Sequence, residues 1–174
     1  MKETASTSGL VLNAQNLIHA SHLDRELILL FLIYFARAEY ALKRAHYIKG
    51  NEKRVDADWD RFASDTNGKF DAEVSEELSS AAKYLLNHPP KKQVLKNSKL
   101  AWADSSCGKQ EVLPCLLVLV RRVRNNLFHG GKFPLTPIPE VARDRKLLQS
   151  SLIVLDAALQ LNQKVARFFS EEAY

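Results

Sequence analysis

The chain has 174 residues, the length of one ordinary domain, and 46% of them are hydrophobic, enough for a sizeable core. Six glycines, six prolines and a charged content of 26% exclude collagen-like or long low-complexity stretches. The net charge of +5 and the pI near 9.2 suit a polyanionic partner, and they also fit an ordinary cytosolic protein.

The first residues, MKETASTSGLVLNAQN, lack a basic patch followed by an apolar run and a small-residue cleavage site, so no signal peptide is expected and the reading is cytoplasmic. A short helix is expected over residues 10–20. The clearest helix starts at Asp24, a good N-cap, and is expected to run to Lys49 and stop at Gly50-Asn51. It contains LILLFLIYFA, an uncharged run bracketed by Arg25, Glu26, Arg37 and Glu39. A membrane span needs about 20 apolar residues, so this run reads as a buried core helix.

Residues 55–65 read as a short helix or a turn-rich segment, broken by Asn67-Gly68. Residues 71–86 form a helix with an acidic first turn, closed by Asn87-His88-Pro89-Pro90. The polar, basic segment 91–108, with Trp102 as its main apolar anchor, is expected to be a long loop with a short helix. No run alternates strongly enough to stand as a strand. A further helix covers 111–128, with Pro114 in its first turn where a missing N–H does no harm. After the loop LTPIPE, a last long helix is expected over 141–169. The expectation is one all-α domain over 1–174, an up-and-down bundle of four or more helices, with a partly helical insertion at about 51–108.

Chemistry concentrates in LLVLVRRVRNNLFHGGK, residues 116–132. An apolar face made by Leu116, Leu117, Leu119, Val120 and Val123 delivers Arg121, Arg122, Arg124, Asn125, Asn126, His129 and Lys132 to one helix end. A histidine moves protons at neutral pH, and an arginine pairs with phosphate oxygens and stabilises a pentacovalent transition state. RNA brings its own nucleophile, the 2′-OH, so such a site needs neither metal nor cofactor. Five residues at about 100° each place Arg124 and His129 about 140° apart on an ideal helix. The two converge if the helix loosens at Gly130-Gly131, or if two copies of the helix end share one site in a twofold dimer. The plain alternative is a solvated basic helix end, which the helix dipole favours in any case.

Arg124-Asn125-Asn126-Leu127-Phe128-His129 resembles the R-x4–6-H signature of the HEPN superfamily, and VRNNLFHGGK is similar to plasmid- and defence-associated bacterial members. The resemblance covers about residues 24–50 and 109–169. It implies a helical bundle with the motif late in the chain, and a metal-independent, dimeric endoribonuclease. In that reading Arg124 binds the scissile phosphate, His129 transfers protons and Asn125 supports them. Arg121, Arg122, Asn126 and Lys132 contact RNA, and Glu39, on an upstream helix, lies near the groove. An antitoxin protein is a possible partner for such a toxin or defence effector. A catalytically silent member that binds a nucleotide or a protein is the alternative.

Other polar groups read as structural. His19 and His22 lack the carboxylate or thiol that would complete a metal site, and His46 and His88 are isolated. Glu76-Glu77 is a solvated acidic face. Ser105-Ser106-Cys107-Gly108 lacks the strand–turn–helix setting of a nucleophile. Lys91, Lys92, Lys96 and Lys99 form a basic loop that could extend an RNA surface. Cys107 and Cys115 are expected to be reduced thiols, since no CxxC or four-ligand set is present.

Overall fold

A computed structural model describes residues 24–128 and 141–171. The segment 10–20, His19, His22, His129, Gly130, Gly131 and Lys132 lie outside the described residues. The fold is mainly helical, with α1 (Arg25–Arg44), α2 (Trp59–Asn67), α3 (Glu76–Asn87), α4 (Val112–Phe128), α5 (Val141–Gln160) and α6 (Gln163–Ser170). Two antiparallel hairpins interrupt it, β1 (Ile48–Asn51) with β2 (Arg54–Ala57) and β3 (Lys92–Lys96) with β4 (Lys99–Ala103). No described helix is long and apolar enough to cross a membrane.

The α1 helix begins as expected. The Asp24 carboxylate accepts from the backbone N–H groups of Glu26 at 3.1 Å and Leu27 at 3.2 Å, satisfying two groups the helix cannot pair internally. Its end comes five residues before the expected Lys49. His46 takes a left-handed conformation with φ 68°, while Tyr47 N donates to Leu42 O and His46 N to Lys43 O. That pair of bonds is the Schellman stop, with histidine in the position glycine usually fills. Gly50 therefore does not cap the helix. It sits in β1 at φ 137°, where a Cβ would lie 2.0 Å from the Arg54 carbonyl oxygen.

The β3–β4 hairpin replaces the loop expected over 91–108. Asn97 and Ser98, at φ 50° and 58°, make its two-residue turn and set Lys96 opposite Lys99. Positive φ at both central residues gives the twist that matches paired strands. The expected last helix is likewise divided. Asn162 ends α5 and caps α6, its side chain accepting from Lys164 N and Val165 N, and its Nδ2 donates to the Tyr47 hydroxyl at 3.1 Å.

One core joins the helices. It takes Phe31, Phe35 and Leu42 from α1, Phe62 from α2, Leu85 from α3, Leu116 and Val120 from α4, and Leu155 and Leu159 from α5. The α2 and α3 helices, inside the segment expected to be an insertion, thus contribute core side chains. Neighbours pack as α3 on α5, α2 on α4, α4 on α5, and α1 on α5 and α6. The thiol expectation is corrected as well. Cys107 and Cys115 form a disulfide, because the loop after β4 folds back on the first turn of α4 and brings their Cα atoms to 5.1 Å.

Candidate active site

The apolar face of α4 buries Leu113, Leu116, Leu117, Leu119, Val120 and Val123, which fixes where its polar residues emerge. Arg124 leaves the helix toward α1. Its Nη2 donates to Glu39 Oε1 at 3.4 Å, and its Nη1 donates to Asn125 Oδ1 at 3.0 Å. Its guanidinium lies over the rings of Phe35 at 5.1 Å and Phe128 at 5.3 Å. Glu39 also accepts from Trp59 Nε1 at 3.4 Å. The two aromatic faces and two oxygen acceptors hold a planar cation in one orientation while leaving its side chain 30% exposed. Glu39, chosen from sequence on a separate helix, thus meets Arg124 in space.

The other predicted residues divide by face. Arg121 and Asn125, one turn apart, border a groove of about 400 Å³ whose walls include Lys92, Gln93, Asp60 and Val118. Asp60 draws Arg121 at 3.4 Å, Lys49 at 3.5 Å and Lys109 at 3.9 Å. Burial opposes ionisation of Asp60, but the Arg121, Lys109 and Lys49 cations outweigh it and hold its carboxyl below the ordinary value. One carboxylate among so many cations leaves the groove basic.

Arg122 and Asn126 also reach this groove, but their polar atoms are taken up by backbone. Arg122 donates to the carbonyls of Pro90 at 3.1 Å, Ser105 at 2.6 Å and Ser106 at 3.1 Å, and burial lowers its pKa. Asn126 is 8% exposed and donates to the Lys91 carbonyl at 2.9 Å. The two side chains pin the segments on either side of the second hairpin against α4. They shape the groove wall that carries Lys92.

Phe35, Trp59, Asp60 and Gln93 were not singled out from sequence. Phe35 lies in the run read as a buried core helix, and both it and Trp59 are core here, packed on each other beside the site. No local signal distinguishes that placement. His46, set aside as isolated, makes the turn that ends α1, and His88 packs its ring 4.8 Å from Tyr84. Among the described residues, no three His, Cys, Asp or Glu side chains converge to hold a metal ion. Comparison with family models, curated proteins and solved structures found no match to this chain.

Proposed function

We propose that the chain is a metal-independent endoribonuclease of the HEPN type, acting in the cytoplasm as a toxin or defence effector with an antitoxin protein as a further partner. The observation that carries the reading is Arg124. It is a partly exposed arginine packed against two rings and hydrogen-bonded to Asn125, which lines the basic groove, five positions before the only histidine of its segment. An arginine stacked on aromatic rings and held by single hydrogen bonds to Asn125 and Glu39 keeps N–H groups that can exchange onto a tetrahedral anion. In this reading the HEPN-like bundle brings the C-terminal turn of α4 within reach of α1 so that Glu39 orients Arg124.

Chemistry proceeds by in-line attack of the RNA 2′-OH on the adjacent phosphorus. The 2′-oxygen–phosphorus bond forms as the phosphorus–5′-oxygen bond breaks. One proton leaves the 2′-OH and one reaches the 5′-oxygen, giving a 2′,3′-cyclic phosphate and a 5′-OH. Arg124 neutralises charge gathering on the phosphoryl oxygens, and His129 handles a proton. Two copies of the helix end, in a homodimer, supply the second proton-transfer group. Asn125 holds Arg124, while Arg121, Lys92 and Lys132 draw in the flanking backbone. Arg122 and Asn126 act through the loops they hold.

Glu39 favours the second reading, a catalytically silent nucleotide- or protein-binding module, because its carboxylate competes with phosphate for Arg124. Incubation with single-stranded RNA in EDTA separates the two. Cleavage that falls at least about a hundredfold in Arg124→Ala and in His129→Ala, with cyclic phosphate ends, supports the enzyme. Intact RNA beside retained nucleotide binding supports the silent module.

A further inference from the structure

The β3–β4 hairpin carries charge of one sign only. From His88 to Ala103 the chain holds Lys91, Lys92, Lys96 and Lys99 and no acidic residue. Strand pairing sorts these side chains, because residues opposite one another share a face and alternate residues along a strand return to it. The register sets Lys92 opposite Ala103, Val94 opposite Ala101 and Lys96 opposite Lys99. One face of the ribbon therefore carries three lysines around a floor of Val94, Ala101 and Ala103. Gln93, Leu95, Leu100 and Trp102 belong to the other face.

The tip opposes the fold rather than supporting it. Like charges directly opposite on paired strands repel. Lys96 and Lys99 are exposed, and among the described residues neither meets an acidic side chain. Asp104 lies beyond the base of β4, and Asp60 is already shared by Arg121, Lys49 and Lys109. The base of the ribbon meets the groove, which Lys92 lines together with Arg121 and Asn125. Lys96 stands four residues farther along β3, about 14 Å out.

We propose that the hairpin is an arm that carries single-stranded RNA away from the groove, with Lys92, Lys96 and Lys99 in turn against its phosphates. The inference rests on the RNA reading of the groove, but not on cleavage. A row of cations without an anion of its own, continuous with a basic groove, matches a repeating phosphate charge and binds it with little regard to sequence. Leu95, 79% exposed, and Leu100, 54% exposed, belong to the opposite face and take no part in these contacts.

Fluorescence anisotropy with a 2′-O-methyl oligouridylate of about 12 nucleotides tests the arm on the intact chain, since a strand without free 2′-OH groups is bound but not cut. Lys96→Ala/Lys99→Ala is expected to weaken binding about tenfold at low salt. It should also flatten the slope of log affinity against log salt by about 1.4, the counterions of two phosphates. Its unfolding midpoint should stay level or rise, because a repulsion has been removed. Lys43→Ala/Lys164→Ala takes the same charge from α1 and α6 and should change binding by less than about twofold.

A tip variant that binds as the wild type does overturns the proposal, and so does a loss that the control pair matches. Normal binding with new self-association would make the lysines guards of open strand edges. Loss confined to Leu95→Ser/Leu100→Ser would mark an apolar docking face; either result removes the arm. Binding that falls in Arg121→Ala but not in the tip variant keeps the groove and rejects the arm, whereas a wild type that leaves the strand unbound rejects both. All-ribo RNA held through the tip lysines yet left intact contradicts the ribonuclease alone.

Discussion

Arg122 and Arg124 stand two positions apart and do different work. Arg124 keeps part of its side chain in solvent and uses two neutral or anionic oxygens for orientation. Arg122 spends its guanidinium on three backbone carbonyls that would otherwise face a poorly solvated cleft. Hydrogen bonds from a charged donor contribute about 1.5–3 kcal/mol each, with strong overlap among bonds made by one group. Arg122→Ala should therefore lower the unfolding free energy by about 2–4 kcal/mol in a urea titration. Arg122→Lys should recover little of that loss, because an ammonium cannot reach all three carbonyls from one position. Equal stability of the alanine variant and the wild type would remove Arg122 from this role.

Asp60 gives the groove a pH dependence with a definite sign. Its folded pKa lies below the unfolded value of about 3.9, so its contribution is fully present above that pH and disappears as pH falls through the folded value. Unfolding midpoints measured between about pH 2 and pH 6 should fall on the acid side less steeply in Asp60→Asn than in the wild type. Removing this carboxylate also leaves Arg121, Lys49 and Lys109 without their common anion. The variant should be less stable than the wild type at neutral pH.

At the scale of elements, what could be read in advance follows from the range of the deciding interaction. Asp24 and Pro114 act on their own helices within a turn, and those two helix starts lie close to the expected places, whereas the helix expected from residue 71 starts at Glu76 behind its Ser75 cap. The end of α1 depends on a left-handed histidine, which residue type does not announce. The Asn97-Ser98 turn lacks the glycine that marks the commonest hairpins, and its strands are too exposed to alternate clearly. The disulfide forms across a loop whose path depends on Arg122 and could not be read from spacing alone. At the site, the meeting of Arg124 with Glu39 was legible through the resemblance, whereas Asp60 and Gln93 arrive from elements that only the tertiary fold brings near.

Gly50 provides the clearest element-scale test. Its β1 position combines positive φ with a carbonyl at a distance that no Cβ tolerates. Gly50→Ala should open the β1–β2 hairpin, raising amide exchange at Ile48, Val55 and their neighbours by about tenfold or more. Because Lys49 reaches Asp60 from this hairpin, exchange near α2 should rise as well. A change confined to Gly50 itself would show that the hairpin does not support the groove.

Among the described residues, the basic groove and the exposed apolar side chains of α1 lie on different elements. The end of α4 gathers arginines beside a basic groove, while the outer face of α1 stays apolar. The chemistry proposed at Arg124 consumes the RNA 2′-OH, so RNA itself supplies the test. A single-stranded RNA with one 2′-deoxy residue at the mapped cleavage position should be compared with its all-ribo counterpart, in EDTA, by mass spectrometry of the products. The account predicts 2′,3′-cyclic phosphate and 5′-OH ends from the all-ribo strand and no cut at the deoxy position. Cleavage at the deoxy position, or an all-ribo strand left whole by the wild-type chain, would contradict it.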